Sequence, residues 1–120
     1  MKKICIVTTS RAEYGLLRNL IRKVYEDKEL ELCLMVTGTH LSKEYGYTIE
    51  EIDADNFPIA EKITILSENR EEKGVAGTMA TALVKFEEAF EKCRPDMLVV
   101  LGDRYELISI CWAAFLLKIP

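Results

Sequence analysis

Histidine is scarce in this sequence, one residue in 120, and none of the four cysteines stands in a C-x-x-C pair. A zinc site needs several His and Cys ligands at set spacings, and the sequence offers no such cluster. No G-x-G-x-x-G follows the first strand-like run, which disfavours NAD and FAD as cofactors. The longest apolar segment, Leu107 to Leu117, carries Ser109. It falls far short of the ~20 residues of a membrane span and reads as a buried helix. Met1-Lys2-Lys3 opens like a signal peptide, but Thr8, Thr9, Ser10 and Arg11 cut the apolar stretch short. There is no block of Lys or Arg, and the net charge of −4 has the wrong sign for nucleic acid or an anionic membrane. Linkers and internal repeats are also missing. These absences lead us to expect a soluble, cytoplasmic protein with no nucleic-acid and no membrane partner.

What remains is a chain 49% hydrophobic and 30% charged, which argues against disorder and fits one modest domain. Cys5 and Cys33 lie in strand-like apolar runs, Cys93 and Cys111 in helical ones. They read as small buried hydrophobes kept free in a reducing compartment.

Strand and helix patterns alternate. Lys3–Thr9 reads as the first strand. The next helix, Tyr14–Glu26, places Tyr14, Leu17, Ile21 and Val24 on one stripe, with Leu16 and Leu20 widening it. Leu30–Thr37 is the second strand, Ser42–Gly46 a short helical turn, Thr48–Asp55 a short acidic helix, and Ile59–Ile65 a half-buried or edge strand. Glu71–Lys92 forms a long helix with Val75, Met79, Ala82, Leu83, Phe86 and Phe90 as its stripe, ended by Pro95. Met97–Leu101 is the fourth strand, and Arg104–Leu117 the last helix. Ile119-Pro120 looks like the opening of a fifth strand.

This alternation predicts an α/β fold, a Rossmann-like parallel sheet with helices on both faces and strand order 3-2-1-4. Strands one and four are apolar on both faces, as a covered sheet requires. The last helix is apolar nearly all round, and leaving ~300–600 Å² or more of it open is unusual for a monomer. We therefore expect residues 1–120 to be the N-terminal part of a longer protein; an oligomer that hides this helix is the alternative.

In open parallel sheets, ligands sit beyond the carboxyl ends of the strands, so the residues there are the candidates. Ser10 and Glu13 have capping-box spacing, as do Thr48 and Glu51. Asn69 is a plausible cap for the long helix. Arg11 is either a solvated cation or a phosphate ligand. A charge-assisted hydrogen bond of ~1.5–3 kcal/mol would outweigh the ~0.3–1 kcal/mol of the helix terminus alone. Gly38 permits a sharp turn before Thr39 and His40, and His40 is either a packing residue or a catalyst. Asp103 follows the most apolar strand. It is either the N-cap of the last helix, with Glu106 at cap-box spacing, or a carboxylate presented to a ligand beside Arg104.

Four segments stand in order: Thr9-Ser10-Arg11-Ala12-Glu13-Tyr14, Val36-Thr37-Gly38-Thr39-His40-Leu41-Ser42, Tyr45-Gly46-Tyr47-Thr48, and Pro95-Asp96 through Leu101-Gly102-Asp103-Arg104-Tyr105-Glu106. Together they resemble the N-terminal region of the hydrolysing UDP-N-acetylglucosamine 2-epimerases of the sialic-acid pathway. The resemblance implies two Rossmann-like domains in the manner of GT-B glycosyltransferases, with a UDP-sugar bound between them. Residues 1–120 would be the N-terminal domain, truncated, with the second domain outside the chain and the piece inactive by itself. It implies conversion of UDP-N-acetylglucosamine and water to N-acetylmannosamine and UDP, by elimination of UDP and hydration of a 2-acetamidoglucal. It implies no cofactor, no metal and a homo-oligomer. By the same resemblance Asp103 is the catalytic carboxylate, Arg11 lies near the UDP phosphates with Ser10 beside it, Arg104 shapes the site, and Thr39 and His40 lie on a loop near the substrate. Two other readings stand beside it: another UDP-sugar enzyme of GT-B fold (a non-hydrolysing epimerase or a glycosyltransferase), or a non-catalytic α/β interaction module.

Overall fold

A computed structural model describes residues 1–41, 48–65, 70–102 and 104–120, with Thr39 and residues 70–73 described by their backbone alone. The elements run β1 (Lys2–Thr8), α1 (Arg11–Glu26), β2 (Leu30–Thr37), a 3₁₀ turn (Gly38–Leu41), α2 (Ile49–Ala54), β3 (Ile59–Ile63), α3 (Arg70–Cys93), β4 (Met97–Val99) and α4 (Tyr105–Leu116). The expected turn at Ser42–Gly46, the Tyr45–Thr48 segment up to Tyr47, and the cap Asn69 lie outside the described residues.

The four strands form one parallel sheet in the order β3-β2-β1-β4, as the alternation predicts. Each face carries its own core. On one side Ile6, Leu34 and Val36 meet Tyr14, Leu17, Ile21 and Val24 of α1 and Ile49 and Ile52 of α2. On the other, Cys5, Val7, Cys33 and Met35 meet Phe86 and Phe90 of α3 and Ile110, Ala113 and Ala114 of α4. The period-2 alternation of β1 and β2 divides their side chains between these two cores.

Four expectations need correction. Leu16 and Leu20 do not widen the α1 stripe but are 75% and 41% exposed, because they turn to the solvent side of the helix. Val75 is exposed in the same way, one residue after Gly74, whose φ of 62° and ψ of −170° kink α3 and rotate the stripe. β4 is shorter than Met97–Leu101: it is a three-residue edge strand, Met97–Val99, with Met97 exposed, while Leu98 and Val99 pack against the two opposite cores. Cys111 is exposed rather than in the core. The apolar character of α4 does leave a bare face, as foreseen. Ile108, Trp112, Phe115 and Leu116 are all exposed, with the Trp112 and Phe115 rings stacked 5.0 Å apart. Pro120 already turns back beside β4, its carbonyl accepting the Leu98 N–H at 2.8 Å. Among the described residues no helix is long and apolar enough to cross a membrane.

Candidate active site

Parallel pairing of β1 with both β2 and β4 brings three strand tips together at one edge of the sheet. The chain leaves β1 through Thr9 and Ser10 into α1, leaves β2 through the 3₁₀ turn, and approaches α4 through Gly102. Two glycines make this junction possible. Gly38 has φ of 65°, and a Cβ there would lie 2.6 Å from the Thr9 carbonyl oxygen. Gly102 has φ of 115°, and its Cβ would lie 2.8 Å from a Glu13 carboxylate oxygen. Only glycine combines that backbone with that approach. The turn after β2 therefore lies against the backbone after β1, and the turn after β4 lies over Glu13.

The capping boxes read from spacing at Ser10–Glu13 and Thr48–Glu51 are not formed. Ser10 is the N-cap residue of α1, half-exposed, but its hydroxyl makes no cap bond, and only its carbonyl accepts the Tyr14 N–H at 3.0 Å. Glu13 turns inward instead, 8% exposed, with Oε2 lacking a hydrogen-bond partner among the described residues. Thr48 spends its hydroxyl on His40, and Glu51 reaches across to Arg11, Oε1 lying 3.0 Å from Nε. Glu106 is 1% exposed, and its Oε1 accepts from Arg104 Nε at 2.6 Å. Arg104 is the N-cap residue of α4. Spacing alone could not separate a carboxylate that reaches back to its helix terminus from one that turns into the sheet edge.

The result is a buried arrangement in which two carboxylates from different helices face one guanidinium. Glu106, through its hydrogen bond, and Glu13, through its charge, hold Arg104 above its ordinary value. Burying two anions with one cation is costly unless further donors or charges complete the set, and one oxygen of each carboxylate is still unpartnered among the described residues. Both glutamates stand in the strand-tip segments, and their spacing there points to caps and not to this cluster. Beside Arg104 and Gly102 an apolar cleft of about 550 Å³ opens along α4, lined by Leu107, Ile108, Trp112 and Phe115.

His40 occupies the other half of the junction. It is fully buried, its Nε2 is 2.9 Å from Thr8 Oγ1, and its Nδ1 is 2.9 Å from Thr48 Oγ1. The ring also meets the edge of Tyr14 at 6.2 Å between centroids. Burial pushes its pKa down to about 4, against the weaker opposing effect of a hydrogen bond to the Ser10 backbone carbonyl, so it is neutral at pH 7. With both ring nitrogens occupied, His40 ties the ends of β1 and β2 to α2. Tyr14 continues this scaffold: its hydroxyl donates to Asp55, which also pairs with Arg18 at 2.9 Å. Burial first, then Asp55, pushes the Tyr14 phenol up to about 12. No single sequence feature signals this network, because its members come from β1, the 3₁₀ turn, α1 and the two caps of α2.

Arg11 is the exposed cation of the junction. Its side chain is 72% accessible and leans on Glu51 at the outer rim. Thr39 is placed in the 3₁₀ turn by its backbone, and Asp103 lies outside the described residues. The structure thus gathers Ser10, Arg11, His40 and Arg104 at one edge, with Arg11 facing solvent, Arg104 half-buried and His40 sealed behind them. Among the described residues no group of three or more His, Cys, Asp or Glu side chains could hold a metal ion.

Residues 22–120 match the family model described as UDP-N-acetylglucosamine 2-epimerase. Over 119 residues the chain is 45% identical to the GDP/UDP-N,N'-diacetylbacillosamine 2-epimerase (hydrolyzing) of Campylobacter jejuni, covering 99% of this chain and 31% of that protein. It is 41% identical over 120 residues to polysialic acid biosynthesis protein P7 of Escherichia coli, covering 100% of this chain and 31% of the relative. The chain therefore spans about a third of the length of the curated relatives it matches. The crystal structure of UDP-GlcNAc 2-epimerase from Neisseria meningitidis bound to UDP-GlcNAc superposes with a TM-score of 0.83 at 18% identity, covering 98% of this chain and 30% of that one. That likeness is one of fold, and the fold is the Rossmann-like one of GT-B-like epimerases.

Proposed function

The chain belongs to the UDP-N-acetylglucosamine 2-epimerase family, and from that premise we propose that it forms the first lobe of a hydrolysing 2-epimerase acting on a UDP-linked 2-acetamido sugar. The observation that supports this most is the juxtaposition of the β1 and β4 tips, which sets Arg11 and Arg104 at the starts of two helices on one crevice. In this reading a second Rossmann-like domain, outside the chain, closes the crevice, and the whole enzyme is a homo-oligomer in the cytoplasm. The bare apolar face of α4 favours further cover of one kind or the other.

The chemistry follows from where charge develops. As the C1–O bond to UDP breaks, negative charge collects on the diphosphate and positive charge on the sugar. Cations placed on the phosphate side and a carboxylate on the sugar side stabilise both. Arg11 and the α1 terminus take the phosphate side, Asp103 the sugar side. Loss of the C2 proton then gives the 2-acetamidoglucal. Water adds at C1, and a proton returns to the opposite face of C2. Arg104, held by Glu106 and Glu13, shapes the rim next to Asp103.

The identity to a relative named for N,N'-diacetylbacillosamine favours that sugar over N-acetylglucosamine, which would yield N-acetylmannosamine. Full-length protein incubated with each UDP-sugar separately should release free UDP and the 2-epimer, with the higher kcat/KM on the diacetamido sugar. Reversible interconversion without free UDP would mark a non-hydrolysing enzyme instead. No turnover of either sugar would leave only a binding role.

Arg11→Ala should weaken UDP binding about tenfold, the lower end of a charge-assisted hydrogen bond, because Arg11 is open to solvent and must first leave Glu51. Isothermal titration with UDP measures it, and an unchanged affinity would remove Arg11 from the phosphate site.

A further inference from the structure

Three of the four cysteines converge at the middle of the sheet, beside the carboxyl end of α3. Cys5 and Cys33 are partners in the β1–β2 register, and Cys93 is the last residue of α3. The Cys33 and Cys93 sulfurs lie 2.6 Å apart, although the residues are 60 positions apart in sequence. All three thiols are free. Cys5 is sealed in the core, Cys33 is 4% exposed and Cys93 is half-buried. Cys33 and Cys93 line an open cleft of about 330 Å³ with Lys3, Lys92, Glu31 and Glu61. Lys3 is fixed there by donating from Nζ to the Cys93 carbonyl at 2.8 Å, while Lys92 pairs with Glu61 at 3.5 Å.

This is more than core packing requires. Two thiols that fill space need no cleft reaching them and no cation beside them. An oxidisable pair needs a reachable sulfur, a neighbouring cation and a second thiol within bonding reach.

We propose that Cys33 and Cys93 are a peroxide-sensitive dithiol that closes to a disulfide tying β2 to the carboxyl end of α3. Cys33 is the attacking sulfur. Its thiol is held below the ordinary range, first by the hydrogen bond from Cys5, then by that from Cys93 and the charge of Lys3, with burial and Glu31 opposing. Cys93 is pushed up, by burial first, and stays a thiol. The Cys33 thiolate attacks one oxygen of a hydroperoxide, the O–O bond breaks, and a sulfenic acid and hydroxide (or alkoxide) form. Cys93 then attacks the sulfenic sulfur and loses its proton, water leaves, and the S–S bond closes. Two thiols lose two electrons, and hydrogen peroxide becomes two waters. Such a bond in a reducing compartment would be transient, which is the usual standing of cytosolic disulfides. It lies in the β1–β2 register four residues before Thr9, so the strand-tip residues keep their positions.

The test uses full-length protein, reduced, freed of reductant, exposed to a small excess of hydrogen peroxide, alkylated and digested without reduction. The expected product is the Cys33 peptide joined to the Cys93 peptide, about 2 Da lighter than their sum, formed at least about tenfold faster than Cys111 is oxidised. Cys93→Ser should abolish the linkage and leave a Cys33 sulfenic acid that dimedone traps; Cys111→Ser should change neither. Cys33 and Cys93 both recovered alkylated while Cys111 oxidises would overturn the proposal. So would a Cys5–Cys33 linkage in place of the expected one. The mapping on unmutated protein decides the matter even if a serine variant fails to fold.

Discussion

Asp103→Asn in the full-length protein should lower kcat by about 10²–10⁴-fold, the usual contribution of a general acid or base, while UDP affinity stays within about threefold. The asymmetry is the informative part. Asp103 stands between Gly102, whose turn lies over Glu13, and Arg104, whose guanidinium is held by Glu106. An amide at 103 keeps the size and most hydrogen-bonding capacity of the carboxylate but neither its charge nor its proton transfer. Phosphate binding, assigned to Arg11, should be nearly untouched. Steady-state kinetics with UDP titration separates the two quantities. Near-normal turnover would remove Asp103 from the chemistry, and an equal loss in both would make it a binding residue.

The second large effect is one of stability with pH. His40 titrates at about 4 in the folded chain because burial disfavours the imidazolium, and near its reference value of about 6.5 when unfolded. Between those values the unfolded state binds a proton that the folded state does not. Stability therefore falls as pH drops through that window and levels off below pH 4. The full loss from this one group is about 3 kcal/mol, taking each pKa unit as about 1.4 kcal/mol. His40→Gln keeps some of the bonding to Thr8 or Thr48 and has no proton to take up. Urea unfolding at pH 6.5 and 4.5 should show the variant losing less stability than the parent by most of this amount. Equal losses would mean that His40 titrates normally.

Much of the architecture was legible in the sequence because the sheet is parallel and doubly covered. The apolar runs of β1 and β2 and the 3.6-residue stripe of α1 leave few alternatives, and the strand order follows from right-handed crossovers. The stripe of α1 was read too wide, since Leu16 and Leu20 are apolar without being on the buried face. Helix propensity and burial are different demands on the same residue. The short extent of β4 was hidden too: Val100 and Leu101 have strand composition, yet pairing ends at Val99.

Around the crevice, sequence located the right segments but assigned the wrong partners. Glu13, Glu51 and Glu106 each stand three residues after a capping residue type, and a local rule accounted for each. The structure gives two of them long-range work, Glu13 under Gly102 and Glu51 on Arg11, and turns Glu106 onto Arg104, only two residues back, from the buried side. His40 was singled out for its chemistry, and its environment makes it a neutral brace. The Cys33–Cys93 contact had no local signal at all, because it joins the middle of one strand to the end of a helix 60 residues on. Apart from the Glu106–Arg104 pair, what distinguishes these cases is range: pattern rules see neighbours within a turn or a pleat, and most of the crevice is built from contacts across the sheet.

The central claim is that this crevice serves an elimination of UDP followed by hydration. It is tested most directly by running full-length protein with its UDP-sugar in D₂O enriched in H₂¹⁸O and examining the released sugar by mass spectrometry and NMR. The account predicts one solvent deuterium at C2, ¹⁸O on C1, inverted C2 configuration and one free UDP per turnover. A sugar released with its C2 proton retained, or one still joined to UDP, would contradict it.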